Sequence, residues 1–205
     1  MVTIVDYGMG NLRSVQKGFE KVGVKARLAS DKNDIKRAEK LVLPGVGAFK
    51  DCMKNLSELD IISAIKEHIN SGKPYLGLCL GLQALFTESE EFGLTKGLDV
   101  IKGRVVRFPD DEFKKKKLKI PHMGWNSVNI QKETPLLKGI ANGSYFYFVH
   151  SFYVKPDDDS VIATKTEYGI DFTSMISYKN VFGCQFHPEK SQTNGLTILK
   201  NFGDL

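Results

Sequence analysis

The chain has 205 residues, 41% of them hydrophobic and 26% charged, the balance of one soluble globular domain or at most two small ones, and not of a disordered chain. No apolar run approaches the ~20 residues of a membrane-spanning helix, the opening Met1-Val-Thr-Ile-Val-Asp6 lacks the basic head and apolar core of an export signal, and three scattered cysteines make no disulfide framework, so a cytoplasmic protein with free thiols and no membrane contact is expected. The 29 Lys and Arg against 24 Asp and Glu leave a net charge of +5, but the run Lys114, Lys115, Lys116, Lys117 and Lys119 supplies all of it beside Asp110, Asp111 and Glu112, which reads as a solvated loop; with only five arginines in the chain, nucleic acid is not an expected partner.

Val2 to Val5 is a β-rich run ending at Gly8 and Gly10. Leu12, Val15, Phe19 and Val22 then recur at helical spacing until Gly23. Val24 to Ala29 and Leu41 to Leu43 are the next strands, the latter closed by Pro44-Gly-Val-Gly47. Ile61, Ile62, Ile65 and Ile69 stripe a helix that Ser71-Gly-Lys-Pro74 stops. Tyr75 to Leu78 is an apolar strand, and Gln83 to Ser89 reads as a helix after it. This alternation predicts a parallel sheet with helices on both faces. Beyond it, Val100 to Phe108, Ser127 to Gln131, Ser144 to Val149, Val161 to Thr166 and Thr173 to Val181 read as strands added antiparallel to the sheet. Gln192 to Phe202 closes the chain as a helix. The expectation is α/β: a single domain over 1–205 with a central mixed, mostly parallel sheet flanked by helices.

Gly77-Leu-Cys79-Leu-Gly81 lies between an apolar strand and a helix, the setting of a nucleophile elbow. Small residues two before and two after let neighbouring backbone approach. The turn puts Cys79 at a helix N-terminus, which favours a thiolate, and aims the Leu80 amide at a developing oxyanion. Pro44-Gly-Val-Gly47, after the third strand, is either an ordinary turn or the source of a second oxyanion donor.

A cysteine nucleophile needs a base, and four histidines are available. His68 falls on the Ile-striped helix and reads as a surface residue. His187 and Glu189, two apart in an extended stretch, point to one side, so the carboxylate can fix the imidazole tautomer. Cys79, Cys184 and His187 lack metal-ligand spacing, and no metal is expected. Gly8-Met-Gly-Asn-Leu-Arg13 starts like a dinucleotide fingerprint but has Arg13 where a third glycine belongs, which excludes that cofactor. Pro121-His-Met-Gly-Trp-Asn126 reads as a loop, either a partner anchor or a segment tucked on the core.

Gly77-Leu-Cys-Leu-Gly-Leu-Gln83 with Gln185-Phe-His-Pro-Glu189 resembles the class I glutamine amidotransferases. Asp6-Tyr-Gly-Met-Gly-Asn-Leu-Arg-Ser14, Pro121 to Asn126 and His187 to Ser191 narrow the resemblance to the glutaminase subunits of imidazole glycerol phosphate synthases, over essentially the whole chain. The resemblance implies a flavodoxin-like architecture and a Cys79, His187, Glu189 triad that hydrolyses glutamine through a γ-glutamyl thioester, with no cofactor. It implies an oxyanion hole from the N–H of Leu80 and of Val46 or Gly47, and glutamine contacts at Gly47, Gln83, Tyr147 and Ser151. It also implies a (βα)8-barrel cyclase partner, met by Asn11, Met123, Trp125 and Lys190, that takes up the ammonia for histidine biosynthesis. A peptide flip in Pro44-Gly-Val-Gly47 is the expected switch. The rival expectations are a paralogue feeding another acceptor synthase and a non-catalytic binding module.

Overall fold

Residues 1–205 are described by a computed structural model. In chain order the elements are β1 (Val2–Val5), α1 (Leu12–Lys21), β2 (Ala26–Ala29), α2 (Lys32–Arg37), β3 (Lys40–Leu43), α3 (Phe49–Glu58), α4 (Ile62–Asn70), β4 (Tyr75–Leu78) and α5 (Leu80–Gln83). There follow β5 (Phe86–Ser89), β6 (Thr95–Lys96), β7 (Ile101–Arg107), α6 (Asp110–Lys115), β8 (His122–Ser127), β9 (Asn129–Ile130), β10 (Tyr145–His150), β11 (Phe152–Pro156), β12 (Ile162–Glu167), β13 (Asp171–Tyr178), β14 (Val181–Cys184) and α7 (Gln192–Asp204).

The main sheet runs β2-β1-β3-β4-β14-β13-β11-β7-β5-β6, with β12 on β13 and β9 on β12. β2, β1, β3, β4 and β14 pair parallel, and β13 and β11 continue antiparallel. Parallel strands are buried on both faces, and side chains alternate between them. Leu41, Leu43 and Tyr75 therefore join one core with α3 and α4, while Val2, Ile4, Val42 and Leu76 join another with Phe19 of α1 and Phe202 of α7.

Several readings change. The helix expected from Gln83 ends there instead: Phe86 to Ser89 is β5, paired parallel with β7. Backbone bonds from Val100 and Ile101 to the Leu85 carbonyl hold the chain extended, and tertiary pairing overrides the local pattern. Thr173 to Val181 is not one strand; Lys179, at φ 52°, turns the chain into the β13–β14 hairpin. Ser144 to Val149 does not join the main sheet. It forms β10, which pairs only with β8 in a separate two-stranded ribbon. Pro121 to Asn126 is largely that β8 strand and not a loop, and Ser127 to Gln131 straddles β8 and β9.

His68 is buried rather than on the surface, its Nε2 3.1 Å from the Pro74 carbonyl. The lysine run begins in α6, with Phe113 buried beneath it and Lys114 to Lys117 exposed. No helix is long and apolar enough to cross a membrane.

Candidate active site

Cys79 stands between β4 and α5 at φ 52°, ψ −104°, a backbone conformation that costs a non-glycine residue of order 1–3 kcal/mol and persists only where its surroundings enforce it. Two contacts enforce it. A Cβ on Gly77 would lie 2.4 Å from the Gly81 carbonyl oxygen, and a Cβ on Gly81 only 1.8 Å from that of Leu43. Only glycine fits at either position, so the turn closes tightly against β3. From the other side the Cys79 N–H donates to the Cys184 carbonyl at 2.8 Å, anchoring the elbow to the end of β14. α5 is a single turn, so its dipole gives the sulfur limited help.

β14 leads directly to His187. The His187 N–H donates to the Tyr147 carbonyl of β10 at 2.9 Å, and Ser191 Oγ donates to the His187 carbonyl at 2.6 Å. His187 Nδ1 meets Glu189 Oε1 at 2.8 Å, both side chains almost wholly buried. With Nδ1 on the carboxylate, Nε2 is the atom turned to Cys79, and no other group bonds it. Burial alone would push His187 down, but the charge and hydrogen bonding of Cys79 and then Glu189 outweigh it and raise the imidazole to about 10. Burial pushes the other two thiols up, Cys52 to about 12 and Cys184 far above the ordinary thiol range, so neither supplies a thiolate at neutral pH.

The elbow opens on a cleft of about 290 Å³ lined by Val46, Gly47, Cys79, Leu80, Gln83, Glu91, Pro121 and Val149 to Phe152. Of the residues expected around the reaction, Gly47, Gln83 and Ser151 line it and Tyr147 does not. Tyr147 shares the face of β10 with Val149 but lies two residues further from the cleft, where its ring turns to Trp125 instead. The Tyr147 ring lies 6.1 Å from Trp125, near-perpendicular to it, with Lys190 Nζ 5.9 Å above its face.

The Leu80 amide, expected as an oxyanion donor, is already engaged: it donates to the Gly45 carbonyl at 3.4 Å. The Gly45–Val46 peptide is trans, so its N–H points opposite to its C=O, and the Val46 N–H faces away from the elbow. Val46 itself is exposed, and Gly47 has φ 99°.

Met123 and Trp125 alternate with buried His122 on β8 and are 64% and 46% exposed, so these two side chains are not tucked on the core. Lys190 is exposed beside them, and Asn11 caps α1 by accepting from the Ser14 N–H at 3.3 Å.

Sequence reasoning missed two residues here. Gln185 points into the site, its Nε2 3.5 Å from Cys79 Sγ; its spacing of two before His187 in extended chain was the available signal. Glu91 is the acidic residue of the cleft, accepting from the Phe49 N–H at 2.7 Å. It sits in the turn after β5, outside any motif, and nothing local marked it.

The family model for "Glutamine amidotransferase class-I" matches residues 3–204. The chain is 57% identical over 206 residues, all of both chains, to imidazole glycerol phosphate synthase subunit HisH of Syntrophotalea carbinolica. It is 51% identical to the protein of the same name from Aquifex aeolicus, covering 97% of this chain and 94% of that one. Among solved structures it resembles one described as a glutamine amidotransferase, with TM-score 0.75 at 16% identity over the full length of both. It also resembles the PurLQS structure from Thermotoga maritima, with TM-score 0.72 at 17% identity over 98% of this chain and 96% of that one. These last two likenesses concern the fold alone.

Proposed function

The chain belongs to the class-I glutamine amidotransferase family, and from that premise we propose the part each residue plays: it is the glutaminase subunit of imidazole glycerol phosphate synthase, cytoplasmic, and paired with a (βα)8-barrel cyclase. The observation that carries the chemistry is the strained Cys79 facing a buried His187 whose other nitrogen is held by Glu189. Cys79 Sγ attacks the side-chain amide carbon of glutamine. The C–N bond breaks as His187 gives its proton to the leaving ammonia, and a γ-glutamyl thioester forms. His187 then takes a proton from water, which cleaves the thioester to glutamate and returns the thiolate. Glu189 keeps the imidazole in the tautomer and orientation that both proton transfers need.

The cleft suits the other end of the substrate. Glu91 supplies a negative charge for the α-ammonium group. Gln83 spends both amide hydrogens on Phe152 O and Gln185 Oε1, at 3.1 and 3.2 Å, so its own oxygen is left to accept. Ser151 and the backbone of Gly47 complete the lining.

The oxyanion hole is shut in this conformation. A flip of the Gly45–Val46 peptide frees the Leu80 N–H and turns the Val46 N–H inward, restoring two donors at once. One such donor is worth about 3–4 kcal/mol of barrier. The flip alone therefore separates a nearly silent enzyme from an active one without moving the triad. Trp125, Met123, Tyr147, Lys190 and Asn11 form the face that meets the cyclase, and ammonia crosses there to its acceptor.

Replacing Cys79 by Ala in the two-subunit complex tests the assignment. Glutamine-dependent synthesis is expected to vanish, while synthesis from added ammonia and binding to the cyclase persist. Glutamine-dependent turnover surviving in C79A would remove Cys79 from the mechanism.

A further inference from the structure

In the wall of the cleft, with His150 lining it and His122 behind, lies a buried pair of histidines that the mechanism leaves unused. His122 Nδ1 lies 3.0 Å from His150 Nε2, and His150 Nδ1 lies 2.8 Å from the Phe152 carbonyl. The direction of every bond in this chain is fixed by its ends. A carbonyl only accepts, so His150 carries its proton on Nδ1 and accepts at Nε2. His122 must then donate from Nδ1 and accept at Nε2, where Asn126 Nδ2, a donor only, lies at 3.3 Å. The Asn126 amide is held that way round independently: Nδ2 also donates to the Glu167 carbonyl at 2.8 Å, and Oδ1 accepts from the Ser127 N–H at 2.8 Å. Burial lowers both rings, His122 to about 4 and His150 to about 3, so both are neutral at physiological pH, as the chain requires.

The chain does not stop at the carbonyl. Phe152 O accepts a second hydrogen from Gln83 Nε2, whose other hydrogen goes to Gln185 Oε1. That contact settles which end of the Gln185 amide is nitrogen, and the nitrogen points at Cys79 Sγ. An amide turned the other way would present a carbonyl oxygen to a thiolate.

We propose that Gln185 is a further catalytic residue, donating a hydrogen bond to the Cys79 sulfur, and that the His122–His150 pair is a positioning element that holds in place the Phe152 carbonyl, on which the amide orientations depend, and ties it to β8, the strand carrying Met123 and Trp125. This rests on the reading of Cys79 as the nucleophile. A donor at the sulfur stabilises the thiolate before attack and releases it less well afterwards, so its main effect is on the population of the reactive form.

Alkylation of the full-length chain by iodoacetamide, followed at Cys79 by mass spectrometry across pH, reads that population without the partner. Cys52 and Cys184 are buried internal controls. The ionisable groups that interact with the sulfur are His187, Cys184 and Tyr7, and all are kept. Gln185→Met preserves bulk and removes the donor. The rate at pH 7 is expected to fall about tenfold, the scale of one hydrogen bond to a charged group, while the limiting rate at high pH is retained. His150→Phe is expected to give a smaller fall in the same direction, with a rise in KM for glutamine in the complex. An unchanged profile in Gln185→Met overturns the proposal. Should that variant fail to fold, the wild-type chain still decides: long-range ¹H–¹⁵N spectra must show both His122 and His150 neutral with the proton on Nδ1, and a proton on Nε2 of either ring refutes the chain. If the wild-type complex hydrolyses no glutamine yet the alkylation shift is seen, the functional reading fails and the sulfur contact stands.

Discussion

The Cys79 elbow and the Pro44–Gly47 loop lie against each other and are built in opposite ways. The elbow is packed to the point that neither Gly77 nor Gly81 can carry a methyl group, and its strained Cys79 is held between close contact with β3 and a hydrogen bond to the end of β14. The loop offers an exposed Val46, a Gly47 free to take positive φ, and one 3.4 Å hydrogen bond to the Leu80 amide. On the proposed reading the triad is thus held rigidly while the oxyanion hole is closed by a weak, reversible contact. The difference teaches where control can act at low energetic cost: rotating one peptide is easier than moving three buried side chains.

The largest effect expected is from damage to the packed side. Gly81→Ala drives a Cβ into the Leu43 carbonyl, and loss of soluble, cooperatively melting protein is the expected outcome; near-normal melting would mean the elbow is looser than described. Glu189→Gln leaves that packing intact but removes the charge behind His187. Glutamine hydrolysis by the complex should fall by about a hundredfold or more, with ammonia-dependent synthesis intact. Gly47→Ala acts on the loop side. Forcing φ 99° on alanine costs the closed loop about 1–2 kcal/mol, so hydrolysis by the isolated chain should rise up to about tenfold while Cys79 alkylation is unaltered. Equal change in both would show that loop and elbow are one unit.

The last effect concerns acid. His150 is lowered to about 3 by burial, so below the ordinary imidazole value of about 6.5 the unfolded chain binds a proton that the native ring refuses. Stability is then lost as pH falls from about 6.5 towards 3. His150→Phe has no such proton, and its stability measured by urea unfolding should fall less steeply, by about 1.4 kcal/mol per pH unit in that window. Parallel slopes would mean that the ring is protonated in the native state.

Much of the site was legible because its causes are local. Gly77-x-Cys79-x-Gly81 between an apolar strand and a helix is a backbone requirement written in residue types, and His187 with Glu189 follows from strand alternation. The amphipathic stripes of α1, α4 and α7 were legible for the same reason. What was hidden depends on partners far along the chain. Phe86–Ser89 is extended only because β7 pairs with it, and β10 leaves the main sheet only because β8 offers it an edge. His68 is buried because the Pro74 carbonyl comes round to meet it. Glu91 enters the cleft from a turn with no periodicity, and Gln185 matters through a contact with Cys79, 106 residues away. The Gly45 carbonyl's turn towards the Leu80 amide is a peptide orientation, and residue types do not encode which way a glycine peptide faces.

The central claim is that an assembled triad waits for one peptide to turn. Glutamate release from glutamine, measured for the chain alone and then with the barrel cyclase and its nucleotide ligand bound, tests it most directly. The account predicts a low rate alone and a rise of about a hundredfold or more with the loaded partner, the worth of a restored oxyanion donor. A high rate from the isolated chain, unchanged by the partner, would contradict it.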